Sequence, residues 1–202
     1  NIAGAIHTPT SGKVTGGVVG INYGTVLNCN YSGNIKSDSE TGGIVGINES
    51  SGMIQHCTNN GEILGYYFTG GIAGKNYGIL QNCVNKGTVN NTKEWVEEDD
   101  EKSPDLLSSL RDDSSDVKLQ SGTDTGGIAG MSKGFIRSCT NTGAVGYEHV
   151  GYNIGGIVGR QAGGVEDCLN RGEVYGRKDV GGIVGQMEPY IAITDENSDR
   201  NS

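Results

Sequence analysis

The chain has 202 residues, of which 36 are Gly and only 3 are Pro, with 34% hydrophobic residues and a formal net charge of −9. That glycine content argues against an ordinary globular core, and the acidic balance, with no basic stripe, argues against nucleic acid and anionic membranes as partners. No run of 18 apolar residues occurs, so no membrane contact by this fragment is expected.

The first residues, "NIAGAIHTPTSGKVTGG", introduce the pattern of the whole chain. Gly4 and Ile6 precede "TGGVVG" at Thr15, and the stretch then recurs as "TGGIVG" from Thr41, "TGGIAG" from Thr69 and Thr125, "IGGIVG" from Ile154 and "VGGIVG" from Val180. A glycine-rich phosphate loop occurs once per nucleotide, so six near-even copies point to a structural unit that stacks on itself. Each of five copies is followed by a Gly (24, 52, 78, 134, 163) and, two residues on, by Val26, Ile54, Leu80, Ile136 or Val165. Cys29, Cys57, Cys83, Cys139 and Cys168 come three residues later, so every cysteine of the chain shares one register. Gly33, Gly61, Gly87, Gly143 and Gly172 follow, and two residues beyond each stands Ile35, Ile63, Val89, Val145 or Val174.

Each repeat reads as three short strands rich in Ile and Val and bounded by Gly and Asn turns, with no helical period. Gly and Asn are expected at the corners because they tolerate positive φ. One such unit cannot bury enough apolar surface to fold alone, so neighbours must stack. The fold class is therefore all-β. It is a right- or left-handed parallel β-solenoid (β-helix) of about five to six coils, one per repeat of 26–29 residues, spanning 1–185. The partial units at both ends read as a stretch cut from a longer protein.

Between Gly87 and Gly126 the spacing is 39 residues where compact repeats have nine, which marks an insert, Asn91 to Ser121, looped out of one coil. It holds ten acidic and four basic residues, a net charge of −6. In "SPDLLSSLRDD" a short helix is expected, with Ser103 as N-cap, Pro104 at the first position and Leu106, Leu107 and Leu110 on one face. Two readings stay open: a solvated loop, or a partner-binding knob presenting Trp95. Residues 186–202 form a polar tail. There Asp195, Asn197 and Asp199 begin like a calcium loop, but Arg200 replaces the required Gly and no bidentate Glu follows.

Little chemistry is legible. The five cysteines are expected to be reduced and buried as a ladder of small apolar groups. In-register stacking leaves their Cβ atoms about 4.8 Å apart, where a disulfide wants about 3.8 Å. With no C-x-x-C and no spaced Cys/His set, neither a zinc site nor a catalytic thiolate is indicated, and His7, His56 and His149 follow no ligand spacing. Glu62, Glu166, Asp167 and Glu173 read as solvated corner residues rather than a glycosidase pair. No catalytic residue, cofactor or metal site is assigned, and the chain is not expected to be an enzyme. The nine Tyr against two Phe suggest a ligand surface. Tyr23 and Tyr77 share one repeat position, and Tyr66, Tyr147 and Tyr175 each follow the third strand, so an adhesive edge of these last three is expected, with Trp95 nearby. Shielding of the coil edges is the competing reading of the same rings.

The unit G-G-[IV]-[VA]-G, then G-x-[VIL]-x-x-C-x-N-x-G-x-[IV], resembles the GLUG repeat. That repeat is found in large secreted and surface-anchored proteins of Gram-positive and gut bacteria, including the non-catalytic part of streptococcal immunoglobulin A peptidases. The resemblance covers Gly16 to Gly185 apart from the insert. It implies a secreted or cell-surface bacterial protein, adhesin-like, whose repeats act as a stalk or display scaffold for an unidentified protein or glycan ligand. The zinc motif of the peptidases is missing, so their activity is not implied. The alternative is an accessory repeat region of a secreted enzyme, a peptidase or a polysaccharide-active solenoid, although clustered carboxylates along one face are not evident.

Overall fold

The computed structural model describes residues 1–8, 13–92 and 123–189. It is a parallel β-solenoid of about five turns, and every strand-to-strand pairing between successive coils is parallel. Four sheets run along it. The first contains Ile35–Gly42, Ile63–Gly70, Thr123–Gly126, Tyr152–Gly155 and Lys178–Gly181, with Ile6–His7 and Lys13–Gly16 both laid on Ile35–Gly42. The second stacks Val19–Asn22, Val45–Asn48, Ala73–Asn76, Ala129–Ser132, Val158–Gln161 and Val184–Met187. The third runs from Thr25–Leu27 to Gly164–Glu166, and the fourth from Asn30–Tyr31 to Leu169–Asn170.

The coil thus has four strands where the repeat pattern predicts three. The extra division falls at the residue before each cysteine: Asn28, His56, Asn82, Ser138 and Asp167 all have positive φ, between 49° and 54°. Val26 and Cys29 stand three apart, and on one continuous strand they would point to opposite faces. A single left-handed residue between them redirects the chain so that both Ile54 and Cys57, or Leu80 and Cys83, are fully buried. A second left-handed position precedes each G-G pair, at Val14, Glu40, Phe68, Asp124, Asn153 and Asp179.

The repeat glycines therefore serve a different purpose from the one expected. Among the described glycines only Gly4, Gly146 and Gly151 have positive φ. The others are required by proximity: a Cβ on Gly71 would overlap the carbonyl of Gly127 and lie 2.6 Å from Asn85 Oδ1, and one on Gly42 would lie 2.8 Å from the Cα of Ala73. Glycine lets adjacent coils close to hydrogen-bonding distance where each chain turns, as in Ile44 N–H to Ile72 O at 3.0 Å and Ile72 N–H to Ile128 O at 2.9 Å.

Inside, columns of like residues stack: Ile44, Ile72, Ile128 and Ile157; Ile54, Leu80 and Ile136; Cys57, Cys83 and Cys139. Asparagine takes the left-handed corners expected of it at Asn28, Asn82, Asn90 and Asn153, but a second set of asparagines stacks inside in two polar columns, buried except at the half-buried Asn170. Asn59, Asn85, Asn141 and Asn170 hand one amide hydrogen bond along from coil to coil, Nδ2 to Oδ1 at 2.8, 2.8 and 2.9 Å. Their second Nδ2 hydrogen goes to the carbonyl of Gly61, Gly87, Gly143 or Gly172. Asn22, Asn48 and Asn76 form the other column, which ends on Ser132 Oγ at 3.1 Å. Both hydrogens of each fully buried amide are used, which removes the cost of burying it, and only the half-buried Asn170 at the end of its column has no further coil to donate to.

The coil that carries the insert keeps its register on both flanks: Val89 bridges Ile63 and Val145, and Thr123 pairs with Tyr67 and Tyr152. The expected helix at 103–110 and Trp95 lie outside the described residues, as do Asp195, Asn197 and Asp199 of the tail. Among the described residues no helix is long and apolar enough to cross a membrane.

Two outcomes are expected. Gly71→Ala should lower stability by at least the roughly 1–3 kcal/mol of an overpacked core, whereas Gly24→Ala, where an added Cβ meets nothing within 4 Å, should leave the melting temperature nearly unchanged. Excising Asn91 to Ser121 and rejoining the ends by a short turn should preserve a single cooperative melting transition, because the ladders on either side already match.

Candidate functional site

The cysteine column is the most regular chemical feature. All five cysteines are free; Cys57, Cys83 and Cys139 are fully buried and the outer two, Cys29 and Cys168, are half-buried. The residue after each cysteine ties the column together, since the amides of Thr58, Val84, Thr140 and Leu169 donate to the carbonyls of Cys29, Cys57, Cys83 and Cys139 at 2.8–2.9 Å. Each thiol lies near the carbonyl two residues earlier, as with Cys139 Sγ to Arg137 O at 3.2 Å and Cys168 Sγ to Glu166 O at 3.3 Å. Hydrogen bonds from neighbouring thiols and burial push Cys83 and Cys139 up to about 12. At the end of the column the sign reverses: the neighbouring Cys139 thiol, against the effect of burial, brings Cys168 down to about 7. Among the described residues no three His, Cys, Asp or Glu side chains converge on one point.

The tyrosines are dispersed over the coils. Ile63, Val89, Val145 and Val174 mark one ladder position, and Tyr66, Tyr147 and Tyr175 stand three, two and one residues beyond it, with the coil through Val89 separating Tyr66 from the others. They do not form one column, because three different offsets from the ladder place them at three different positions around the coil. Each is half-buried. Tyr175 donates from its hydroxyl to Glu173 Oε2 at 2.7 Å, and that bond to a carboxylate raises its pKa. Tyr147 sits in a tight turn closed by a bridge to Val150. Tyr66 is pushed up to about 12 by burial and by its bond to Tyr67. Tyr23 is exposed, and Tyr77 lies two coils away with Glu49 on the rung between.

What the fold does assemble around Tyr66 is a cluster not anticipated from the sequence. Tyr66 and Tyr67 meet edge to face at 4.3 Å between ring centres, and Tyr67 is 6.5 Å from Phe68. Lys75 Nζ lies 3.9 Å from the Phe68 ring centre and the Arg160 guanidinium 5.8 Å, within the range where a cation is attracted to a ring face. Lys75 also pairs with Glu40 at 2.7 Å, and Arg160 with Asp124 at 2.7 Å and Glu188 at 3.5 Å. Burial works against both carboxylates. The Lys75 and Ser39 hydrogen bonds still hold Glu40 below its usual range, whereas for the deeper Asp124 burial prevails over Asn153 and Arg160 and the pKa rises. The signal in the sequence was positional. Glu40, Phe68 and Asp124 each precede the T-G-G unit, and Lys75 and Arg160 each follow its last Gly. The corner of one coil and the following strand of another bring these positions together, so the cluster ties successive coils to one another through Glu40–Lys75 and Asp124–Arg160–Glu188.

Compared with protein-family models, curated proteins and solved structures, the chain gives no significant match. The resemblance to the GLUG repeat accordingly rests on the residues alone.

Thiol labelling should follow burial along the column. Native protein should expose two thiols, Cys29 and Cys168, while the three inner ones react only after unfolding, when all five label. Cys168 should label first, its rate rising through pH about 7 as the thiolate forms, and Cys29, whose pKa is raised by burial, should need higher pH.

Proposed function

We propose that the chain is a non-catalytic structural and adhesive repeat module of a larger bacterial cell-surface or secreted protein, a stalk or display scaffold that presents outer side chains to a protein or glycan ligand. The observation that carries this reading is the continuity of register across the insert, from Val89 to Val145 and from Tyr67 to Thr123 to Tyr152. A scaffold whose interior is occupied by repeating columns leaves sequence variation to its outer corners and loops, which is where a display module needs it. The charged groups of the Phe68 cluster are paired with one another, in keeping with a structural rather than a catalytic task. Bacterial origin and extracellular location follow from the resemblance to the GLUG repeat.

Because Tyr66, Tyr147 and Tyr175 occupy different rungs, a ligand that uses them must touch several coils at once. A glycan and host-protein binding screen on the wild-type chain, repeated with the triple Tyr→Ala variant and with Trp95→Ala, tests the reading. The expected result is a ligand whose binding falls at least tenfold, about 1.4 kcal/mol, in one of the variants. A ligand bound equally well by both variants would remove these aromatic residues from the site, and a hydrolytic activity of the isolated chain would overturn the proposal.

A further inference from the structure

We propose that the cysteine column binds a soft monovalent cation of the copper(I) or silver(I) kind, in linear coordination between the sulfurs of successive coils and first taken up between Cys139 and Cys168. The argument begins with spacing. The backbone bonds from Thr58, Val84, Thr140 and Leu169 to the preceding coil's cysteine fix the five cysteines one above another at the coil rise, which for hydrogen-bonded strands is about 4.8 Å. A metal–thiolate bond is about 2.3 Å, so two in line span about 4.6 Å and an ion midway between two sulfurs needs almost no movement of the coils. A disulfide at the same place would have to draw the Cβ atoms about 1 Å closer, against the ladders on both sides.

The same spacing sets the coordination number. The next sulfur along the column lies roughly 7 Å from such an ion, so no ion can bind more than two. With no third His, Cys, Asp or Glu converging among the described residues, the tetrahedral site that zinc wants cannot form here. Two thiolates and nothing else select soft ions that accept two ligands. The surroundings agree, for Cys57, Cys83 and Cys139 belong to the same buried apolar cluster as Ile54, Leu80 and Ile136.

Charge decides where loading starts. The first ion displaces two protons, from Cys139 and Cys168, and brings one positive charge, leaving a net −1. Each further ion along the column displaces one proton, so the net charge stays at −1 and need not be buried deeply. Cys168 is the half-buried outer sulfur of the pair, so an ion reaches the Cys139–Cys168 position from solvent without the coils having to open.

The test uses the full chain, reduced and under anaerobic conditions, with Cu(I) added in competition with a chromophoric Cu(I) chelator. The expected result is Cu(I) retained by the protein, X-ray absorption reporting two sulfur neighbours per ion, and protection of Cys168 from alkylation by the first equivalent. Cys168→Ser should lose one bound ion, and Zn(II) should not compete. Transfer of all Cu(I) to the chelator, nitrogen, oxygen or a third sulfur in the ion's first coordination sphere, or undiminished binding by a folded Cys139→Ser/Cys168→Ser variant would each overturn the proposal. X-ray absorption on the wild-type chain decides the matter even where a variant fails to fold.

Discussion

The close approach of one coil's backbone to the next is the constraint on which the rest of the structure depends. Parallel pairing at each level requires the chain to turn four times per coil without letting side chains hold the coils apart. The G-G pairs meet that requirement by lacking a Cβ: at Gly43, Gly71, Gly127 and Gly156 an added carbon would overlap a carbonyl of the following coil. Everything inside then inherits the same vertical spacing, so each interior residue sits on its counterpart and the core becomes a set of columns.

That spacing suits some side chains better than others. An amide carries donors and acceptors that fit a neighbour of its own kind, and in the column that runs to Asn170 the amides of Asn59, Asn85 and Asn141 each donate both hydrogens. Apolar columns need only shape, and Ile is tolerated beside Leu, as at Ile54, Leu80 and Ile136. Where the chain departs from the pattern, satisfaction suffers. Ser132 accepts the last amide of its column, while Gln161 on the following coil leaves its buried Oε1 without a partner among the described residues.

Outside the coil the constraint relaxes, and chemistry varies from rung to rung. The corner before each G-G pair carries Val14, Glu40, Phe68, Asp124, Asn153 or Asp179 on one and the same left-handed backbone. A non-glycine residue in that conformation is ordinarily unfavourable, by about 1 kcal/mol or more. At Glu40 the bond from Lys75, and at Asp124 and Asn153 the bond between their side chains, tie that corner to the next coil. The result is a surface on which partners such as Lys75 and Arg160 can converge on Phe68 from different coils.

The sequence by itself determined the repeat, its period, the parallel solenoid and the membership of the cysteine column, because each follows from residues recurring at fixed spacing. It also located the insert, since a register that resumes after an interruption is visible without coordinates. The fourth strand became evident only in the tertiary structure. The residues before each cysteine, Asn28, His56, Asn82, Ser138 and Asp167, are polar types of which most tolerate a left-handed backbone, but such residues also stand at many other positions of the chain. Only the burial of the flanking side chains shows where the strand is broken. The tertiary structure alone decided that one set of asparagines faces inward and that the glycines answer to contact rather than to φ, since both depend on what the next coil places opposite them. That Tyr66, Tyr147 and Tyr175 do not stack was hidden for a related reason: offsets that differ by one or two residues look trivial along the chain, yet they decide which residues share a column.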